Sequence, residues 1–227
     1  MAGAFTHFMI CQKALKGASP HVKRLVRGAS SNLYIGAVSS DIPYLAIPQE
    51  KTSSFSCADY MHYYKTNGIP QAAVSSIRDS YGETSKIDKS KFAWTLGYIS
   101  HVIIDAVIHP IVEAVVGPYQ HNKSEHMLCE MVQDAFVFKE ITGREIDGSF
   151  IESNMSDIDP GVLVFWRDLF FETYFPGIFR VLERNRRRTS PRPQQTIRDI
   201  RGRRFRVDYL RNSIRPARCH RRFKMYH

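Results

Sequence analysis

Three ionisable residues, His101, Asp105 and His109, recur at every fourth position of the run YISHVIIDAVIHPIV. Four residues advance an α-helix by about 400°, so each is turned about 40° from the last and all three share a face. Their neighbours Val102, Ile103, Ile104, Ala106, Val107 and Ile108 are apolar. Ionisable groups on the inward stripe of such a helix are costly unless paired, and a divalent metal removes that cost. Zinc accepts neutral imidazole nitrogen and carboxylate oxygen, and the two oxygens of one carboxylate can serve two ions. Asp105, flanked by both histidines, is placed for that role. His126 and Glu130 repeat the four-residue interval among Met127, Leu128, Cys129 and Met131. Either pattern alone arises often by chance in helical sequence, and only their combination is informative. The competing reading makes His101 and Asp105 a buried hydrogen-bonded pair and His126 and Glu130 an exposed ion pair, which leaves His109 unexplained.

These residues need helices to carry them, and apolar positions spaced three and four apart dominate the chain up to about residue 183. The pattern predicts an all-α body. A first helix is expected over residues 4 to 17, stopping at Gly17 before Pro20, and a second from about His21. Gly36 opens a tight segment in which Asp41 stands two residues before Pro43, so Asp41 is expected at a loop or helix end. His62 falls on a short helix or turn among aromatics, followed by an amphipathic helix through IPQAAVSSIRDSYG. The strongest element runs from about 89 to 117, capped by Asp88 or Ser90, kinked at Pro110 and ended by Gly117. A further helix runs from Ser124 to Gly143, and an aromatic-rich helix pair after residue 160 divides near Pro176 and Gly177. After Arg184 the sequence RRRTSPRPQQ has no periodic apolar face, so a linker or disordered tail is expected. The expected organisation is therefore a helical domain over 1–183 and a basic tail over 184–227.

Composition constrains the class. The chain has 227 residues, 43% of them hydrophobic, which suits one domain with its own core. The net charge of +10 is uneven: residues 184–227 carry 15 Arg and one Lys against Asp199 and Asp208, leaving the rest at −4. No run of eighteen apolar residues is free of polar interruption, so no transmembrane segment is expected. The N-terminus lacks a basic residue ahead of its short apolar run and does not read as a secretory signal, so a cytoplasmic protein is expected. Cys11, Cys57, Cys129 and Cys219 are widely spaced and read as free, mostly buried thiols.

His7, the G-A-x-x-x-D-I-P segment ending in Asp41, His62, the H-x-x-x-D-x-x-x-H run and the H-x-x-x-E pair occur in an order that resembles zinc-dependent phospholipase C, of the superfamily shared with the S1/P1 nucleases. The resemblance covers roughly residues 3 to 145. It implies a helical bundle around a di- or tri-zinc cleft, hydrolysing a phosphodiester, phospholipid or nucleotide, with a metal-bound hydroxide. It also implies a ligand set. Asp41, His62, His101 and Asp105 would hold one Zn2+, and His109, His126 and Glu130 a second. His7 and the other oxygen of Asp105 would hold a third, completed in secreted members by a processed N-terminal tryptophan that this chain, beginning Met-Ala-Gly, does not have. The same comparison makes Asp41 and Asp105 the catalytic carboxylates, Asp105 bridging and Asp41 assisting proton transfer.

Other readings follow from other features. An S1/P1-like nuclease would use the same ligands on a nucleic-acid backbone. A non-enzymatic protein could grip nucleic acid or an anionic membrane through its arginine tail. An HD-type phosphohydrolase needs an adjacent His-Asp pair, and none occurs. Tyr60, Tyr63, Tyr64 and Trp94 are candidates for a cleft mouth that receives a cationic head group or a base, against the alternative that they are core. Phe165, Trp166, Phe170, Phe171, Tyr174, Phe175 and Phe179 read either as a lipid-docking face or as a buried helix closing the bundle.

Overall fold

The computed structural model describes residues 3–45, 57–80, 85–177 and 179–180, and among these the chain is helical and holds no strand. The order is α1 (Ala4–Gly17), α2 (Pro20–Val26), α3 (Ser30–Val38), a 3-10 turn (Ile42–Leu45), α4 (Cys57–Tyr63), α5 (Gly68–Ser80), α6 (Lys86–Val116), α7 (Lys123–Thr142), α8 (Ser149–Asn154) and α9 (Pro160–Tyr174). The expected all-α bundle is what the chain forms. Helix ends follow local chemistry. The Ser19 hydroxyl accepts the Val22 N–H ahead of α2, with Pro20 at the first helical position, where its missing N–H costs nothing. Gly143, with φ of 71°, stops α7 in the left-handed conformation that glycine adopts without a Cβ penalty.

Several boundaries differ from the sequence expectation. The α6 cap is Ser85, whose side chain accepts from the Asp88 N–H, so the helix starts before the expected Asp88 or Ser90. The helix continues through Pro110 to Val116. α7 begins after Asn122 instead of Ser124. Gly36 does not open a loop: α3 runs through it to Val38. α8 was not expected. The 184–227 tail, with Cys219, lies outside the described residues.

Gly36 is helical because it is a contact surface. A Cβ there would lie 2.2 Å from the Trp94 carbonyl oxygen, and one on Gly97 would lie 2.0 Å from the Leu33 carbonyl oxygen. The missing side chains let α3 and α6 cross backbone to backbone. α6 is the central element, touching α1, α2, α3, α5, α7 and α9. Around this crossing Phe5, Phe8, Met9, Tyr34, Trp94, Tyr98, Phe138 and Phe165 form the main core. Trp94 is fully buried and donates its indole N–H to the Ser39 hydroxyl at 2.9 Å, which corrects its candidacy for the cleft mouth. Tyr60, partly buried, packs against the core through the α9 aromatics Phe170 and Tyr174, with Phe175 just beyond. α9 buries Val162, Phe165, Leu169 and Phe170, so it closes the bundle.

One further expectation is corrected, that the thiols are mostly buried. Cys57 is exposed, whereas Cys11 is buried and Cys129 intermediate. Over an 18-residue window α6 has a mean hydropathy of 1.7, so by length and composition it is long and apolar enough to cross a membrane. Three of its polar residues, His101, Asp105 and His109, belong to the site described below.

Since the Gly97 contact is with backbone that cannot rotate away, Gly97→Ala should lower stability by about 2–4 kcal/mol. Gly148, whose Cβ would meet nothing within 4 Å, gives the control: Gly148→Ala should be near neutral. Thermal melts of the two variants decide it, and equal melting temperatures would refute the backbone-contact reading.

Candidate metal centre

The C-terminal end of α3 is where the site begins. The last carbonyls of a helix lack intrahelical partners and must find others. The Ile35 carbonyl accepts from the Ser39 hydroxyl at 2.7 Å. Those of Gly36 and Val38 accept the N–H groups of Ser39 and Asp41. The Ala37 carbonyl receives the His101 ring, 3.0 Å from Nδ1. His101 stands one turn beyond Gly97, so the close helix crossing brings this ring to the end of α3. On α4, His62 Nδ1 lies 2.8 Å from the Ala58 carbonyl.

A carbonyl oxygen only accepts, so both rings carry their proton on Nδ1 and, when neutral, present a bare Nε2. Those two Nε2 atoms face each other at 3.3 Å. Two carboxylate oxygens join them: Asp41 Oδ1 is 3.1 Å from His62 Nε2, and Asp105 Oδ2 is 3.2 Å from His101 Nε2 and 3.7 Å from His62 Nε2. With both rings neutral, four acceptor atoms converge. A tetrahedral zinc with bonds of about 2.0–2.1 Å requires ligand atoms about 3.3–3.4 Å apart, the spacing of this cage.

The second oxygen of Asp105 faces elsewhere. Its Oδ1 is 3.3 Å from His7 Nε2 and 3.5 Å from His109 Nε2. His7 is fully buried, stacks on His101 with ring centroids 4.2 Å apart, and has no hydrogen-bond partner for Nδ1 among the described residues. His109 meets His126 of α7 edge to face, and His126 Nε2 lies 2.9 Å from Glu130 Oε1. Among the described residues three sets have ligand atoms within 4.8 Å of one another: Asp41, His62 and His101; His7, His101 and Asp105; and His109, His126 and Glu130. All eight residues singled out in the sequence therefore fall in the three sets. His21 and His121, by contrast, are exposed. The donor chemistry, five imidazoles and three carboxylates turned inward, fits zinc.

Electrostatics agree with the geometry. Burial alone would raise Asp105, but the close approach of the His101, His109 and His7 rings holds its carboxyl far below the usual carboxylate range. Asp41 shows the same balance: burial opposes ionisation, and His101, with the hydrogen bond to His62, brings it below its ordinary value. Burial and the neighbouring His101 keep His7 down, hence neutral and able to ligate. Burial pushes Glu130 up to about 8, helped by the negative Asp105 and Asp41.

A cleft of about 420 Å³ opens onto this cluster between α4 and α6. His62, His101, Asp105 and His109 form its floor, with Tyr63, Thr66 and Asn67 on one wall and Val102, Ala106 and Pro110 on the other. Of the aromatic candidates for its mouth, Tyr63 lines it. Residues 6–179 match the family model described as zinc dependent phospholipase C. The chain belongs to the zinc-dependent phospholipase C family. No curated protein and no solved structure matches it. Membership makes it one of a family of zinc-dependent hydrolases, and the three clusters are where such a chain can hold metal.

Sequence reasoning missed the residues that orient the site. Asp134 is buried and accepts the N–H groups of Phe5 and Thr6 at 3.2 and 2.7 Å, anchoring the start of α1 and with it His7. Its signal was present: it follows Glu130 by four residues and so extends the His126–Glu130 stripe. The Ala37 and Ala58 carbonyls leave no signal, since every residue has one.

Glu130 yields a pH prediction for the chelated protein. Its folded pKa of about 8 lies above the ordinary 4.5, so the folded chain holds a proton that the unfolded chain has released. Stability from this group is complete below about pH 4.5 and is lost as the pH rises towards 8. In excess chelator, Glu130→Gln should therefore gain stability relative to wild type between about pH 5 and pH 8, read by thermal melts. Parallel pH profiles for the two proteins would contradict it.

Proposed function

We infer that this chain is a zinc-dependent phosphodiesterase of phospholipase C type, cleaving phospholipid on the phosphate's glycerol side. The observation that carries this reading is the convergence of His62, His101, Asp41 and Asp105 acceptor atoms around one point beneath an open cleft. Family membership supports the reaction class. In this reading His62, His101, Asp41 and Asp105 hold one ion, and His109, His126 and Glu130 a second. His7 and the outer oxygen of Asp105 supply a third position.

Bound zinc supplies positive charge to the non-bridging phosphoryl oxygens and lowers the pKa of water towards neutrality. The chain's own groups set the geometry. Asp105 turns one oxygen to His62 and His101 and the other to His7 and His109, so a single side chain fixes how the clusters lie relative to one another. In this reading Asp41, ionised and 3.1 Å from His62, assists proton transfer from beside the ligands. Thr66 and Asn67 offer the polar wall a phosphate and its head group need, while Val102, Ala106 and Pro110 offer an apolar wall to the glyceride.

Asp105→Asn keeps the shape and removes the charge. It should lower zinc per chain, read by elemental analysis, and reduce hydrolysis of short-chain phosphatidylcholine by more than about a hundredfold. Full turnover with undiminished zinc would end the bridging assignment. A parallel panel of phospholipid, single-stranded DNA and a small phosphodiester, with and without chelator, tests the substrate. Cleavage of DNA alone would move the chain to the nuclease branch.

A further inference from the structure

The exposed faces of α6 and α7 are made of the wrong residues for water. On α6, Ile103, Val107, Ile111 and Val115 recur at every fourth position and are 54% to 71% exposed. On α7, Leu128, Val132 and Phe136 do the same at 53% to 64%. Between Glu125 and Lys139 no charged side chain of α7 is exposed, because Glu130 and Asp134 both turn inward. Between residues 92 and 112 the only charged side chain of α6 is Asp105, which belongs to the cluster. Scattered apolar residues on a surface need no explanation, whereas i,i+4 stripes along two neighbouring helices mark an interaction face.

We propose that these two faces seat the protein on a lipid surface, so that bilayer lipid enters the cleft from its apolar side. The proposal rests on the phospholipid reading above. Three observations select lipid as the occupant. The apolar face is continuous with the candidate site: Ala106 and Pro110 are exposed and also line the cleft, and Val107 and Ile111 are the residues next to them. A second copy of the chain seated there would cover the rim through which substrate must pass. α6 has the hydropathy of a membrane-compatible helix while presenting that apolar surface outwards. The sequence beyond residue 183 adds a net +14, complementary to anionic head groups. Partial burial of exposed aliphatic faces in the acyl boundary is how amphipathic helices lie on membranes.

The test is flotation of the full chain with vesicles of equimolar phosphatidylcholine and phosphatidylglycerol, in chelator so that no turnover intervenes. Val107→Glu/Ile111→Glu and Val132→Glu/Phe136→Glu should each weaken binding by about tenfold or more. Their far-UV circular dichroism should stay that of wild type, since all four side chains are more than half exposed. Binding should persist at high salt, whereas tail-driven binding would vanish. With zinc restored, both variants should lose hydrolysis of vesicles and keep hydrolysis of dispersed short-chain lipid. Unchanged binding in the variants, absence of wild-type binding, or a wild-type dimer in sedimentation that the variants make monomeric would each overturn the proposal. Vesicle binding without any phosphodiester hydrolysis would instead refute the enzymatic reading and leave the surface assignment standing.

Discussion

Two imidazole nitrogens that face each other 3.3 Å apart, each on a ring whose other nitrogen is held by a backbone carbonyl, are the constraint on which this structure turns. Neutral lone pairs at that distance repel, and adding the oxygens of Asp41 and Asp105 to the same space increases the repulsion. Such an arrangement is stable only around a positive charge, since a buried ionisable group left uncompensated costs more than most single contacts return. The backbone carbonyls behind the rings therefore do more than support the side chains. By fixing the tautomers of His62 and His101, the Ala58 and Ala37 carbonyls turn ring lone pairs into the cavity between them, where a cation can be held.

Holding that arrangement requires backbone precision, which the α3–α6 crossing provides. Gly36 and Gly97 remove the two Cβ atoms that would otherwise separate the helices, and a carbonyl at the open end of α3 becomes the orienting partner of a ligand on α6. Trp94 reinforces the crossing through Ser39, whose own hydroxyl is committed to the Ile35 carbonyl. Asp134 plays the corresponding part for α1, using its carboxylate to tie down the first-turn N–H groups of the helix that carries His7. Candidate ligands from α1, α4, α6, α7 and the end of α3 thus converge through helices on one region.

The same helices face two environments. Around the site, α6 and α7 turn imidazoles and carboxylates inward, while residues 103–111 of α6 and 127–136 of α7 turn apolar side chains outward. This inverts the usual amphipathic pattern, in which the apolar stripe faces the core. It explains why α6 passes a hydropathy test for a membrane segment while carrying the most polar cluster of the molecule. A helix of this kind is consistent with an enzyme that keeps its polar chemistry inside and meets an apolar substrate phase outside.

The sequence by itself determined the helical class and the candidate ligands on α6 and α7. Spacing of four places His101, Asp105 and His109 on one helical face, and His126 with Glu130 on another, whatever the helices do next, because the 3.6-residue turn is a local property. The helix that ends at Gly17 and the stop at Gly143 were legible for the same reason. His7, Asp41 and His62 had no such local signal and entered only through the resemblance of their order to a known family. Tertiary structure alone decided what joins them. The role of Gly36 as a contact, the burial of Trp94, the exposure of Cys57 and the orienting carbonyls of Ala37 and Ala58 all depend on which helices touch and at what distance. A one-dimensional pattern shows which residues share a face, but the distance between two faces is set by packing, and coordination chemistry is a matter of distance.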